Sequence, residues 1–113
     1  MKQITRSIYV VAPAENVTVE IEATKVGSFV TLSLDGESLK PVAGVSPLTY
    51  RFAITAGSGF DQFGIISAHF PDSAPDDAKY QVFVTGDTGG RFTGSDIKKT
   101  DSSWSRSLEF RCV

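Results

Sequence analysis

Cysteine occurs once in this chain, as Cys112, and histidine once, as His69. A single cysteine excludes an intramolecular disulfide, and its place in the alternating run Leu108, Phe110, Cys112 makes a small buried hydrophobe the expected role. A single histidine leaves imidazole general-base chemistry one position, and it leaves zinc a poor donor set of one nitrogen, one sulfur and carboxylates. No apolar run approaches the ~18 residues of a membrane span. The opening Met-Lys-Gln-Ile-Thr-Arg has no apolar segment of the secretory kind, so a cytoplasmic location is expected if Met1 is the authentic start. No Gly-x-Gly-x-x-Gly or Walker loop precedes a helix, and no Gly-x-Ser-x-Gly elbow holds a strained serine. No window of about 11 residues or more spaces its apolar positions as a capped helix does. Charge of one sign is also scarce: 11 basic residues against 13 acidic leave −2. Nothing in that balance attracts a phosphate backbone or an anionic lipid surface, so nucleic acid is not an expected partner.

What the chain does have is strict alternation. Val17, Val19, Ile21 and Ala23 interleave with Thr18, Glu20, Glu22 and Thr24, as in a half-buried strand. With 113 residues, 41% hydrophobic, including eight Phe and three Tyr, the chain is expected to form a single domain over 1–113. Further strands are expected at Ile4–Val11, Ser28–Leu34, Leu48–Thr55, Ile65–Phe70, Tyr80–Thr85 and Leu108–Cys112, with shorter ones at Glu37–Val42 and from Phe92. Lys25-Val26-Gly27 breaks the chain before Ser28, Asp35-Gly36 supplies a tight hairpin turn, and Pro41 and Gly44 end the strand that follows. Ile65–Phe70 is more continuously apolar than the other runs, so its face assignment is ambiguous. Strands at this spacing predict an all-β fold: an antiparallel β-sandwich of seven to eight strands, immunoglobulin-like or jelly-roll in type, with a closed β-barrel as the alternative.

Alternation also says which side chains the core leaves over. If Val30, Leu32 and Leu34 point inward, Phe29 points outward; if Tyr80, Val82 and Val84 point inward, so does Phe83 point outward. Apolar residues on outer faces mark association surfaces. The leading expectation is therefore a non-catalytic binding or assembly module that associates with itself or with a protein partner through Phe29 or Phe83. Trp104, in the polar run Asp101-Ser102-Ser103-Trp104-Ser105-Arg106, can stack on a sugar or pack over a sheet end.

The acidic run Pro71-Asp72-Ser73-Ala74-Pro75-Asp76-Asp77 offers oxygen ligands of the kind calcium takes, and Asp87 in the next turn would complete such a site if the loops meet. Together with Trp104 this gives the second expectation, a calcium-assisted carbohydrate-binding domain. The third is a small hydrolase dependent on His69, with a serine or Cys112 as nucleophile. Asp87-Thr88-Gly89 resembles the catalytic triplet of aspartic proteases, but too little chain follows Gly90 and no apolar pair precedes it; a turn is the expected role. Asn16-Val17-Thr18 fits the N-glycosylation pattern while opening a strand.

Overall fold

Asn16–Ala23 buries Val17, Val19 and Ile21 almost completely and leaves Thr18, Glu20 and Glu22 on the other side, as its alternation demands. The same two-sided pattern organises the whole of the computed structural model, which describes residues 1–25, 27, 29–42 and 46–112. Val26 of the expected break, Ser28 at the start of the strand expected after it, and Gly44 lie outside the described residues. Among the described residues eleven strands follow one another: β1 (Lys2–Thr5), β2 (Ile8–Val11), β3 (Asn16–Ala23), β4 (Phe29–Leu34), β5 (Glu37–Ser38), β6 (Thr49–Thr55), β7 (Gln62–His69), β8 (Lys79–Gly86), β9 (Gly89–Thr93), β10 (Ile97–Lys98) and β11 (Ser105–Cys112). There is no helix among the described residues, and so none long and apolar enough to cross a membrane.

The strands form two sheets. One has six strands in the order β1-β2-β11-β7-β4-β5; the other has the order β10-β8-β3-β6, with β9 also paired to β8. The sheets remain separate, so the barrel alternative is not realised. Between them lies a core drawn from both: Tyr9, Leu32, Ile66, Leu108 and Phe110 from the six-stranded sheet, and Val19, Ile21, Phe52, Tyr80, Val82 and Val84 from the other. Tyr9 stacks on Phe110 with ring centroids 5.8 Å apart, and Tyr80 meets Phe70 at 4.8 Å.

Two expectations are corrected. The strand count rises from seven or eight to eleven because Ile4–Val11 turns back on itself at Arg6-Ser7 as β1 and β2, and because β5, β9 and β10 are short ladders. The sheets are not wholly antiparallel, since β2 runs parallel to β11, with Ile8 opposite Glu109 and Val11 opposite Cys112. The Asp35-Gly36 turn is as expected: both residues have positive φ, 50° and 83°, the twist that joins two antiparallel strands through a two-residue loop. Only Glu37 and Ser38 of the expected Glu37–Val42 strand form a ladder.

Candidate functional site

The two outer faces of this fold differ in chemistry. On the β8-β3-β6 sheet the outward rows carry Glu20 and Glu22 from β3, Arg51 from β6, Phe83 from β8 and Arg91 from β9. Arg51 lies 3.4 Å from Glu20, and Arg91 bridges Glu20 at 3.5 Å and Glu22 at 2.7 Å. The Arg91 guanidinium also sits 3.7 Å above the centre of the Phe83 ring. A cation over an aromatic face is attracted by the ring quadrupole and shields the ring from water. Phe83 does point outward, as alternation requires, but it is half-buried beneath an ionic network that satisfies itself.

The outer face of the six-stranded sheet is the reverse. Along β7 the exposed side chains are Phe63, Ile65, Ser67 and His69, and register sets their neighbours. His69 faces Phe29 on β4; Ser67 lies between Ser105 on β11 and Thr31 on β4; Ile65 lies between Ser107 and Ser33; Phe63 lies beside Glu109. Beyond Glu109, β2 contributes Ile8 and Val10. Phe29 is 59% exposed, Phe63 58% and Ile65 52%, high values for large apolar residues on adjoining strands. Glu109 and Arg111 are the acidic and basic residues on β11's outward row, and they pair with each other at 3.1 Å.

This face has relief. Phe63 and Ile65 stand up as a ridge on β7. Beside them is a depression of about 380 Å³ lined by Ser107 and Glu109 of β11 and by Ile8 of β2, with Glu109 level with both Phe63 and Ile8. Serine is small, so β11 lies low at Ser105 and Ser107, beside Ser67 and Ile65.

At one end of the face Trp104 joins His69 and Phe29. Its ring meets His69 edge-on at 5.5 Å and Phe70 at 6.1 Å, its indole N–H donates to Lys99 O at 3.3 Å, and its carbonyl accepts from Ala68 N at 3.0 Å. The loop behind it is fastened by Asp101. That carboxyl accepts from the Lys98 backbone N–H and pairs with Arg106, and the two interactions hold it below the usual carboxylate range. Trp104 is thus both packed over a sheet end and 39% exposed.

The structure brings together Phe29, Trp104 and His69, and it places Phe83 on the opposite sheet. Cys112 is half-buried rather than fully inside; its thiol donates to Gly57 O at 3.2 Å, at the opposite end of β11 from Ser105, which faces Ser67. The four aspartates are not gathered. Asp72, Asp76 and Asp77 precede β8 and Asp87 follows it, which separates them by most of a strand running about 3.3 Å per residue. Asp87 accepts from Asn16 N at 2.8 Å, Asp77 pairs with Lys25 at 3.6 Å, and Lys99 Nζ binds the carbonyls of Asp72 and Ala74. Among the described residues no group of three or more His, Cys, Asp or Glu side chains is placed to hold a metal ion.

Sequence reading missed Phe63, Ile65 and Ile8. In β7 the inward positions are Gln62, Gly64, Ile66 and Ala68, no more apolar than the outward ones, so neither side stood out as the core side. The signal that could have found them was the neighbour β11, whose Leu108 and Phe110 fix the inward side clearly. Compared with protein-family models, curated proteins and solved structures, the chain matches none.

Proposed function

We propose that this protein is a non-catalytic binding or assembly module whose working surface is the outer face of the six-stranded sheet. The observation that carries this reading is the contrast between the two outer faces. One is covered by charged side chains that satisfy one another. The other leaves Phe29, Phe63 and Ile65 in water beside small hydroxyl residues. Exposed apolar surface of that kind is costly unless a partner covers it. Passage of each successive long strand to the opposite sheet favours a jelly-roll type of sandwich, since the immunoglobulin order keeps its first two strands in one sheet.

The test compares the faces. Ile65→Ser and Phe29→Ser should each abolish association measured by light scattering or on a glycan array, and Phe83→Ser should leave it intact. Association that follows Phe83, or that ignores all three substitutions, overturns the reading.

A second reading, carbohydrate recognition, is favoured by the meeting of Trp104, His69 and Phe29 beside the hydroxyl row of Ser105, Ser67 and Thr31. Aromatic rings stack on the apolar faces of sugars while hydroxyls exchange hydrogen bonds with theirs. It stands on those residues and not on calcium, because the aspartates are apart. A specific glycan signal lost in Trp104→Ala would support it; one unchanged in that variant would remove it.

A further inference from the structure

We propose that Lys99 is the positioning residue for the aromatic end of this face: its ammonium, seated on two carbonyls of the acidic loop, fixes the backbone carbonyl that holds the Trp104 ring. The inference deepens the carbohydrate reading above and rests on it for what Trp104 would stack against. Lys99 is attached at three points. Its N–H donates to Ala78 O at 3.1 Å, one residue beyond the short ladder that β10 makes with β8. Its Nζ donates to Asp72 O at 3.0 Å and to Ala74 O. Its own carbonyl accepts the indole N–H of Trp104 at 3.3 Å. One residue thus joins the acidic loop, the approach to β8 and the Trp104 ring.

The loop is a sound anchor. Two turns shape it, closed by Ala74 N on Pro71 O at 2.9 Å and by Ala78 N on Pro75 O at 3.0 Å, and the buried Ala74 and Ala78 pin it to the core. Hydrogen bonds from an ammonium are about twice as strong as neutral ones. The carboxylates of Asp72, Asp76 and Asp77 along the same loop favour a positive charge there. The charge that such a loop attracts is supplied by the chain itself. Trp104 needs the anchor because its ring lies outside the core. Its main chain is fixed independently: the carbonyl accepts from Ala68 N at 3.0 Å, and Arg106 donates to Ser103 O and Ser105 O on either side. The ring is 39% exposed and meets His69 and Phe70 edge-on. Lys99 O then sets the direction of the indole, and a ring already held in one pose loses less freedom when a ligand arrives.

Trp104 is the single tryptophan, so intrinsic fluorescence of the full chain reads its ring alone. Lys99→Met removes the ammonium and keeps the carbonyl. Below the melting transitions of both proteins, its emission should lie to the red of wild type and acrylamide should quench it more readily. Lys99→Arg, which still offers charged donors to the two carbonyls, should match wild type. Lys98→Met, which deletes the neighbouring exposed charge, should match it too. Should Lys99→Met fail to fold, Lys99→Gln, which keeps an N–H donor without the charge, is expected to shift the signal the same way by less. On a glycan array, Lys99→Met should weaken ~2–10-fold any signal that Trp104→Ala abolishes, as expected for the ordering of one side chain. Emission and quenching unchanged in Lys99→Met overturn the inference. So does an equal change in Lys99→Arg or Lys98→Met, or a Trp104-dependent glycan signal left at full strength. If Lys99→Met loosens the ring and the wild type binds no glycan, Lys99 positions Trp104 and the carbohydrate reading is wrong. If a glycan is bound through Trp104 while the ring ignores Lys99→Met, that reading stands and the positioning role is gone.

Discussion

Glu15 shows how much one side chain can hold. It is buried at 5% exposure, yet its carboxylate accepts from Ala12 N at 2.9 Å and from Asp87 N at 3.2 Å and lies 3.1 Å from the Met1 amino group. Burial pushes the carboxyl up, but these bonds together outweigh it and hold the group below the usual carboxylate range. Two loops are thereby tied together, 12–15 and the one that follows β8. A depressed folded-state pKa means stability that is fully present above the unfolded value of about 4.3 and lost as the pH falls through the lower folded value. Glu15→Gln offers one acceptor where the carboxylate offers two, and losing a charge-assisted bond to a partly buried N–H costs about 1–2 kcal/mol. Melting curves should show that loss near pH 7, and the gap to wild type should narrow below about pH 4. Gly86→Ala should be at least as harmful, because a β-carbon there would run into the Glu15 carboxylate and lie 2.7 Å from Met1 Cβ. Overpacking of this kind costs about 1–3 kcal/mol, and a melting temperature equal to wild type would refute the clamp.

At the scale of elements, the β4-β5 hairpin depends on left-handed backbone at Asp35 and Gly36. Nothing crowds Gly36, so Gly36→Ala should cost only the conformational penalty, about 1 kcal/mol in denaturant unfolding. That turn was legible because Asp-Gly between alternating runs has one ready interpretation. The inward rows of β3, β6 and β8 were legible for a related reason: polar residues such as Glu20 and Arg51 mark the outer side unmistakably. Strand β7 was not, since Phe63 and Ile65 on its outer side are as apolar as Ile66 and Ala68 within. Alternation identifies a core only where one side is polar, and it fails where both sides are apolar. Pairing was also hidden. Nothing local in Ile8–Val11 announces a parallel partner at Glu109–Cys112, and the short strand at Ile97 lies in a polar stretch with a single fully buried side chain to mark it. The placement of Asp87 is a further instance, because sequence puts it one strand away from the acidic loop without saying that Asn16 has claimed it.

Across the whole molecule, charge is concentrated on one outer face and apolar area on the other. Salt screens exposed ion pairs, so high salt should weaken the Glu20, Glu22, Arg51 and Arg91 network while strengthening association through the opposite face. Arg91→Ala should lower stability by under about 1 kcal/mol, as exposed pairs do, yet raise the fluorescence of a hydrophobic dye by uncovering Phe83. An unchanged dye signal would mean that Arg91 does not shield that ring. The alternation of strands between sheets bears on how the chain reaches this state. No two long strands adjacent in sequence share a ladder; β3 waits for β6 and β8, and β4 waits for β7. The long strands cannot zip up from local hairpins, so the chain must close long loops before most of its contacts reward it, and refolding in milliseconds to seconds is expected in stopped-flow experiments. Because β11 occupies the middle of its sheet, between β2 and β7, a chain emerging from the ribosome can complete neither the sheet nor the core until that last strand is free. The growing chain therefore carries its apolar rows uncovered for as long as β11 is missing, whatever else has paired.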